Sequence, residues 1–122
     1  MYNIIFYRNA KGEESVKEYL IQLQKESAKN KESRIKLQKI YEYIEILKRC
    51  GTLAGEKYVK HIIDDIWELR PLRDRILFFC WKDGKIVLLH TFVKKTNKTP
   101  KREIIRAIGN QHDFLKRSEL DE

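Results

Sequence analysis

The stretch IWELRPLRDRILFFCWKDGKIVLLHTFVKKTNK, residues 66–98, carries the strongest structural signals in this sequence. It contains two almost continuously apolar runs, Arg75–Trp81 and Lys85–Val93, on either side of the turn sequence KDG. Apolar runs that flank an Asp-Gly turn predict a β-hairpin. Because neither run alternates strictly with polar residues, we expect both faces of the hairpin to be buried at the centre of a sheet.

Basic side chains flank this hairpin. Pairing of its two strands places the start of the first opposite the end of the second. The cations expected there are Arg70, Arg73, Arg75, Lys94, Lys95 and Lys98. Such a cluster predicts a site for a phosphate or a polyanion. A solvated lysine surface is the alternative that charge alone leaves open.

The segments before the hairpin predict a strand followed by two helices. Asn3–Arg8 is rich in β-branched and aromatic residues and predicts the first strand. Apolar residues then recur at helical spacing from Val16 to Leu23 and from Ile35 to Leu47. Ser33 is the candidate cap of the second helix, and Gly51 is its stop signal.

Short strands and a last helix complete the prediction. Tyr58–Ile63 and Ile66–Arg70 are short strand candidates, and a final helix is expected from Pro100 with Thr99 as its cap. Gly109 is a candidate break in that helix. The element order β-α-α-β-β-β-α predicts an α+β domain, in which a helical hairpin packs on a small antiparallel sheet.

The composition of the chain is that of one basic globular domain. Its 122 residues are 42% hydrophobic and carry a formal net charge of +8, so we expect a single domain over residues 1–122. The basic surplus favours nucleic acid as a partner. The two cysteines lack metal-ligand spacing, and Cys80 is expected in the core. With an apolar N-terminus too short to span a membrane, this predicts a cytoplasmic protein without membrane association.

The sequence lacks the common motifs of metal and cofactor sites. Its three histidines form no metal-ligand motif, and it has no glycine-rich phosphate loop, nucleophile elbow or dinucleotide fingerprint. We therefore predict no cofactor and no metal. His90, on the strand leading to Lys94, is a candidate proton-transfer group, and a structural role in the core is the alternative.

The start of the last helix breaks a local rule. Lys101 and Arg102 lie in its first turn, although a helix N-terminus already carries partial positive charge. Such a departure is typical of a functional surface, and this helix start, flanked by further lysines, is suited to a phosphate. Aromatic rings could add stacking on RNA bases, or could serve the core instead. The candidates are Tyr58, Trp67, Trp81 and Phe92.

Arginine and lysine side chains are chemically sufficient for RNA cleavage. In that reaction the 2′-hydroxyl attacks the neighbouring phosphate, and negative charge builds up on the non-bridging oxygens. Preplaced cations stabilise this charge, and a lysine whose pKa is lowered by neighbouring cations can accept a proton. The same groups also suffice for binding without cleavage, and their spacing does not separate the two.

Several blocks of the sequence resemble HigB-type toxins, which belong to the RelE/ParE superfamily of bacterial type II toxin–antitoxin systems. The blocks are WELR at 67–70, DRILFF at 74–79, LLHTFVKKTNKTP at 88–100 and the helix that follows. The resemblance implies a microbial-RNase-like fold, with two N-terminal helices against a curved antiparallel sheet. It also implies translation-dependent mRNA cleavage in the ribosomal A site and neutralisation by a HigA-like antitoxin with a helix-turn-helix.

The resemblance further implies roles for single cations. Arg75 matches the family's arginine at the start of the central strand. Lys95 lies where related toxins place a second catalytic cation, with Lys94 beside it. Arg73 precedes Arg75 by two residues, so it shares the same face if the backbone is extended.

Two positions depart from the pattern of RelE. Glu68 stands where RelE has a lysine, which implies another role, either as an acid–base group or as a partner for Arg70 or Arg73. The catalytic C-terminal tyrosine of RelE has no equivalent after Lys98, so His90 or a lysine is expected to substitute as general base.

The leading hypothesis is a ribosome-dependent endoribonuclease toxin that contacts mRNA and 16S rRNA. The catalytic candidates are Arg73, Arg75, Lys95, Lys94, Glu68 and His90, and the RNA-binding candidates are Arg70, Lys98, Lys101, Arg102 and Tyr58. A ParE-like inhibitor of DNA gyrase and a non-catalytic RNA-binding module are the alternatives. The exposed faces of the two N-terminal helices are candidate docking surfaces for the antitoxin.

Overall fold

The computed structural model describes residues 1–120, which form three α-helices, a short 3-10 helix and five β-strands. In chain order these are β1 (Asn3–Phe6), α1 (Ser15–Ser27), α2 (Lys31–Cys50), the 3-10 helix (Gly51–Ala54), β2 (Val59–Ile63), β3 (Ile66–Leu69), β4 (Asp74–Trp81), β5 (Lys85–Val93) and α3 (Lys101–Leu120). The predicted α+β class is confirmed. Both short strand candidates form, so the order contains one more strand than predicted. Residues 121–122, the end of the predicted domain, lie outside the described residues.

The five strands form one mixed sheet in the order β1-β5-β4-β3-β2. Strands β2 to β5 pair in antiparallel fashion as predicted, whereas β1 pairs in parallel with β5. The connection explains this parallel pair. Two antiparallel helices return the chain to the end of the sheet where β1 finishes, so β2 runs opposite to β1. Three further reversals then bring β5 alongside β1 in the same direction.

The helical hairpin α1–α2 forms as predicted, with a different start to its second helix. The side chain of Asn30 accepts hydrogen bonds from the backbone N–H groups of Glu32, at 2.9 Å, and Ser33, at 3.3 Å. Asn30 is therefore the cap, and the prediction of Ser33 was wrong because a full turn of polar residues precedes the apolar stripe. The helix ends at Gly51 as predicted, where φ is 57° and the N–H donates to the carbonyl of Leu47.

The central strand β4 is buried on both faces, as its apolar run predicts. Ile76 and Phe78 pack toward the α1–α2 hairpin, and Leu77 and Phe79 pack toward α3. The expectation of a buried Cys80 was wrong, because this residue lies near the turn at the end of the strand and is exposed. The sheet thus separates a hairpin side, which faces α1 and α2, from an α3 side, which faces α3.

Helix α3 starts and continues differently from the prediction. The carbonyl of Pro100 accepts the N–H groups of Glu103 and Ile104, while the hydroxyl of Thr99 donates to the buried carboxylate of Glu68. Thr99 is therefore not a cap. The helix also passes through Gly109 without a break, because the apolar residues on either side of it pack on the sheet. Among the described residues, no helix is long and apolar enough to cross a membrane.

We predict that Gly51→Ala destabilises the protein strongly. Its φ of 57° and ψ of −140° favour glycine, and an added Cβ would lie 2.8 Å from a ring carbon of Tyr2. The expected loss in the free energy of unfolding is about 2–4 kcal/mol, because backbone strain and overpacking add.

Urea denaturation measures this loss, and Gly84→Ala is the matched control. Gly84 also has a positive φ of 68°, but no atom of the described residues lies within 4 Å of an added Cβ. We expect only about 1 kcal/mol there, from the backbone alone. Equal losses at the two glycines would contradict the role given to the Tyr2 contact.

Candidate functional site

A buried carboxylate, Glu68, organises the α3 side of the sheet. It lies on β3 and is only 1% exposed. Its carboxylate oxygens lie 3.4 Å from Nε of Arg70 and 3.8 Å from Nε of Arg75, and accept a hydrogen bond of 2.8 Å from the hydroxyl of Thr99. A carboxylate buried to this degree needs such partners. Glu68 therefore ties two arginines to each other and to the segment that starts α3.

Arg75 presents a guanidinium whose position is fixed by the backbone. It lies near the start of β4, and its Nη1 donates to the carbonyls of Leu72, at 2.8 Å, and Asp74, at 2.9 Å. Within the described residues, its buried Nε has no hydrogen-bond partner, and its Nη2 donates to none. Burial lowers the pKa of Arg75, and Glu68 opposes this effect. The group stays charged at neutral pH, because arginine ordinarily titrates far above it.

Arg75 opens onto a cleft of about 270 Å³, named here the phosphate cleft. Its lining residues are Leu72, Arg73, Arg75, Lys94, Thr96 and Asn97. The guanidinium of Arg73 donates to the carbonyl of Lys94 from two nitrogens, at 3.2 and 3.0 Å, and the Lys94 N–H donates to the Arg73 carbonyl at 2.7 Å. These bonds join the two segments that carry the cations. Among residues 1–120, three cations and no acid line this cleft, which is therefore suited to a phosphate.

The surroundings of Lys94 lower the pKa of its ammonium group. Burial, followed by the charge of Arg75, lowers its pKa, and Arg70 and Lys60 lower it further, whereas Glu68 opposes them. Lys60 lies on β2 directly opposite Glu68 in the strand register. Lys60 was not predicted as a site residue from the sequence, although it lies in the predicted strand just before the WELR segment, and that position was a signal for it.

The start of strand β4, which carries Arg75, is anchored from the hairpin side of the sheet. Asp74, between Arg73 and Arg75, points to that side and is buried. The hydroxyl of Tyr19 on α1 donates a hydrogen bond to its carboxylate, and Nζ of Lys36 on α2 lies 3.6 Å away. Burial and the Asp74 carboxylate raise the pKa of Tyr19, so its hydroxyl stays protonated as a donor. Both helices of the hairpin thus hold the strand that presents Arg75.

The remaining predicted lysines lie elsewhere around the same loop. Lys95, Lys98 and Arg102 line a second cleft of about 580 Å³, which adjoins the phosphate cleft at Thr96. Lys94 and Lys95, although adjacent in sequence, therefore serve different clefts. Lys101 is exposed and lines neither of them.

Two predicted site residues lie apart from the phosphate cleft. Nε2 of His90 lies 2.8 Å from a carboxylate oxygen of Glu103, and His90 lines a third cleft of about 420 Å³ that also includes Tyr7. The ring of Tyr58 packs edge-on against Tyr43, with centroids 4.9 Å apart, in the core of the hairpin side. Tyr58 lines none of the three clefts, although its carbonyl accepts a hydrogen bond of 2.9 Å from the backbone N–H of Arg70.

The fold and this cluster define a small basic α+β protein with a cationic, phosphate-sized cleft on one face of its sheet. In residues 1–120, no group of three or more His, Cys, Asp or Glu side chains is placed to hold a metal ion.

The family model described as "Phage derived protein Gp49-like (DUF891)" matches residues 27–111, and the chain belongs to this family. It is a family of RelE/HigB-like toxins of the toxin–antitoxin type, which implies an antitoxin partner. The matched region runs from the end of α1 into α3, so it includes the phosphate cleft and the second cleft beside it. No curated protein matches the chain.

We predict that Glu68→Gln costs about 3 kcal/mol in the free energy of unfolding, because it removes the countercharge of two partly buried arginines. Urea denaturation again measures the loss. Glu42→Gln is the matched control, since it breaks an exposed ion pair with Lys39 and is expected to cost at most about 1 kcal/mol. A loss at Glu68 no larger than that at Glu42 would show that Glu68 does not organise the site.

Proposed function

We propose that the protein is a HigB-type toxin that cleaves mRNA on the ribosome. One observation supports this above all: Arg73, Arg75 and Lys94 line one cleft, and no acid from the described part of the chain lines it. The cleavage of RNA by its own 2′-hydroxyl needs charge stabilisation at a phosphate and a proton acceptor. The cleft offers groups for both tasks.

In the proposed reaction the scissile phosphate binds between Arg73 and Arg75. The Nη2 group of Arg75 donates to a non-bridging oxygen, and its charge stabilises the negative charge of the transition state. Lys94, in its neutral form, takes the proton of the 2′-hydroxyl as the 2′-oxygen bonds to phosphorus. The bond from phosphorus to the 5′-oxygen then breaks. That oxygen takes a proton from Lys95 in the adjoining cleft, and a 2′,3′-cyclic phosphate and a 5′-hydroxyl remain.

Dependence on the ribosome follows from the shape of this site in the proposal. The phosphate cleft holds a phosphate but has few groups that could align the 2′-hydroxyl for in-line attack, and alignment contributes a large part of such catalysis. The ribosome would supply this alignment in the cytoplasm. Lys98, Lys101 and Arg102 lie around the clefts and would contact 16S rRNA through salt-sensitive phosphate contacts.

A HigA-like antitoxin is the proposed partner. The α1–α2 hairpin presents exposed apolar side chains, including Ile21, Ile35 and Tyr41, that are suited to docking. Co-purification of a co-expressed helix-turn-helix protein from the neighbouring gene tests this partner, and its failure to co-purify would contradict the proposal.

We predict that purified protein produces ribosome-dependent cuts in a defined mRNA, and that Arg75→Ala reduces the rate about a hundredfold or more. Primer extension with and without programmed ribosomes measures the cuts. Arg49→Ala is the matched control, because Arg49 is an exposed arginine in the last turn of α2 and lines neither the phosphate cleft nor the cleft beside it.

Each outcome of that assay has a different meaning. Cuts without ribosomes would support nuclease activity and exclude its dependence on the ribosome. Intact mRNA together with a DNA-damage response in expressing cells would favour gyrase inhibition. Intact mRNA with salt-sensitive RNA binding would favour a binding module.

We further predict that the cleavage rate rises with pH. Lys94 must be neutral to accept a proton, and its lowered pKa places more of it in that form than of an ordinary lysine. Below that pKa, kcat/KM should rise about tenfold per pH unit. Lys94→Arg keeps the charge but cannot release its proton, so we expect a large loss of rate and of the slope. A wild-type slope in Lys94→Arg would exclude Lys94 as the base.

A further inference from the structure

The cleft beside the phosphate cleft combines features that single-stranded nucleic acids bind. Its walls carry the aromatic ring of Phe92, three cations and the carboxylate of Glu103. Proteins that hold single strands pair cations on the backbone with aromatic rings under the bases. Thr96 lines both clefts, so a strand whose phosphate occupies the first reaches the second directly.

The position of Phe92 relative to Arg75 supports this use of the ring. The two residues are direct partners in the β4–β5 register, so their side chains leave the same face of the sheet about 5 Å apart. The ring of Phe92 is therefore within reach of a base next to a phosphate bound at Arg75. The ring of His90 lies behind it, with centroids 6.1 Å apart and planes at 25°, which holds the orientation of Phe92.

Glu103 adds a group that can distinguish bases. One of its oxygens is occupied at 2.8 Å by Nε2 of His90, and the other lies 3.9 Å from Nε of Arg102, which is too far for a hydrogen bond. The second oxygen can therefore accept a hydrogen bond in the cleft. A carboxylate only accepts, so it favours an exocyclic amino group, as cytosine, adenine and guanine carry, over the carbonyl oxygen that uracil has in place of the amino group of cytosine.

We propose that this cleft is a nucleobase subsite, in which Phe92 stacks on the base beside the bound phosphate and Glu103 selects a base with an amino group. The biological role of this subsite rests on the proposed function. Its affinity for RNA is measured without any cleavage.

The first test compares two substitutions of Phe92. Short fluorescent oligocytidylate, with 2′-O-methyl groups that block cleavage, is titrated with the full chain and followed by anisotropy. Phe92→Leu should weaken binding about tenfold, because stacking is lost while the apolar volume is kept. Phe92→Tyr should bind as the wild type does, which also shows that the position tolerates substitution. Wild-type affinity in Phe92→Leu, or equal losses in both variants, would overturn the role of the ring.

The second test concerns selection. Wild-type protein should bind oligocytidylate about fivefold or more tightly than oligouridylate of equal length. Glu103→Gln should abolish this preference, because an amide both donates and accepts. Glu119→Gln, which removes an exposed acid from the last turn of α3, should keep it. No preference in the wild type, or an unchanged preference in Glu103→Gln, would overturn the selection.

These results can be separated from the proposed function. If the protein binds and selects RNA as described but cuts no mRNA on ribosomes, the subsite is supported and the nuclease activity is excluded. If the wild-type protein cuts mRNA, and Phe92→Leu binds RNA and cuts mRNA as the wild type does, the nuclease activity is supported and the subsite is excluded.

Discussion

The buried ion cluster around Glu68 is the constraint on which the arrangement of this face depends. One carboxylate on β3 holds the guanidinium groups of Arg70 and Arg75 and the hydroxyl of Thr99. Burying these charges is tolerable only while all of them remain together. The cluster therefore fixes the end of β3, the start of β4 and the segment leading into α3. The last two of these parts carry residues that line the phosphate cleft. Glu68 is a positioning residue in this account, because it lies behind the cations that line the cleft.

The strand β4 connects this cluster to the rest of the fold. Alternation along the strand sends Asp74 to the hairpin side and Arg75 to the α3 side, so neighbouring residues anchor the site and present it. The apolar residues that follow fill both cores and hold the strand rigid. A cationic site built in this way resists the repulsion of its own charges.

Much of this arrangement could be predicted from local sequence. The Asp-Gly hairpin, the two N-terminal helices and the stop at Gly51 each have a short-range signal, and all of them form. The parallel pairing of β1, the hydroxyl of Thr99 bound to Glu68, and the place of Lys60 depend on contacts between distant elements. No spacing rule reports such contacts. The separation of Lys94 from Lys95 into two clefts likewise depends on where the chain turns after β5.

Arginine side-chain NMR can show whether Arg73 and Arg75 bind a phosphate of RNA, as proposed. The Nε–H signals of the protein are followed while a short 2′-O-methyl RNA is added. We expect the signals of Arg73 and Arg75 to shift together and to saturate with one affinity, while the signal of Arg49 stays in place. If RNA shifts other arginine signals and leaves that of Arg75 unchanged, the cleft does not bind the phosphate.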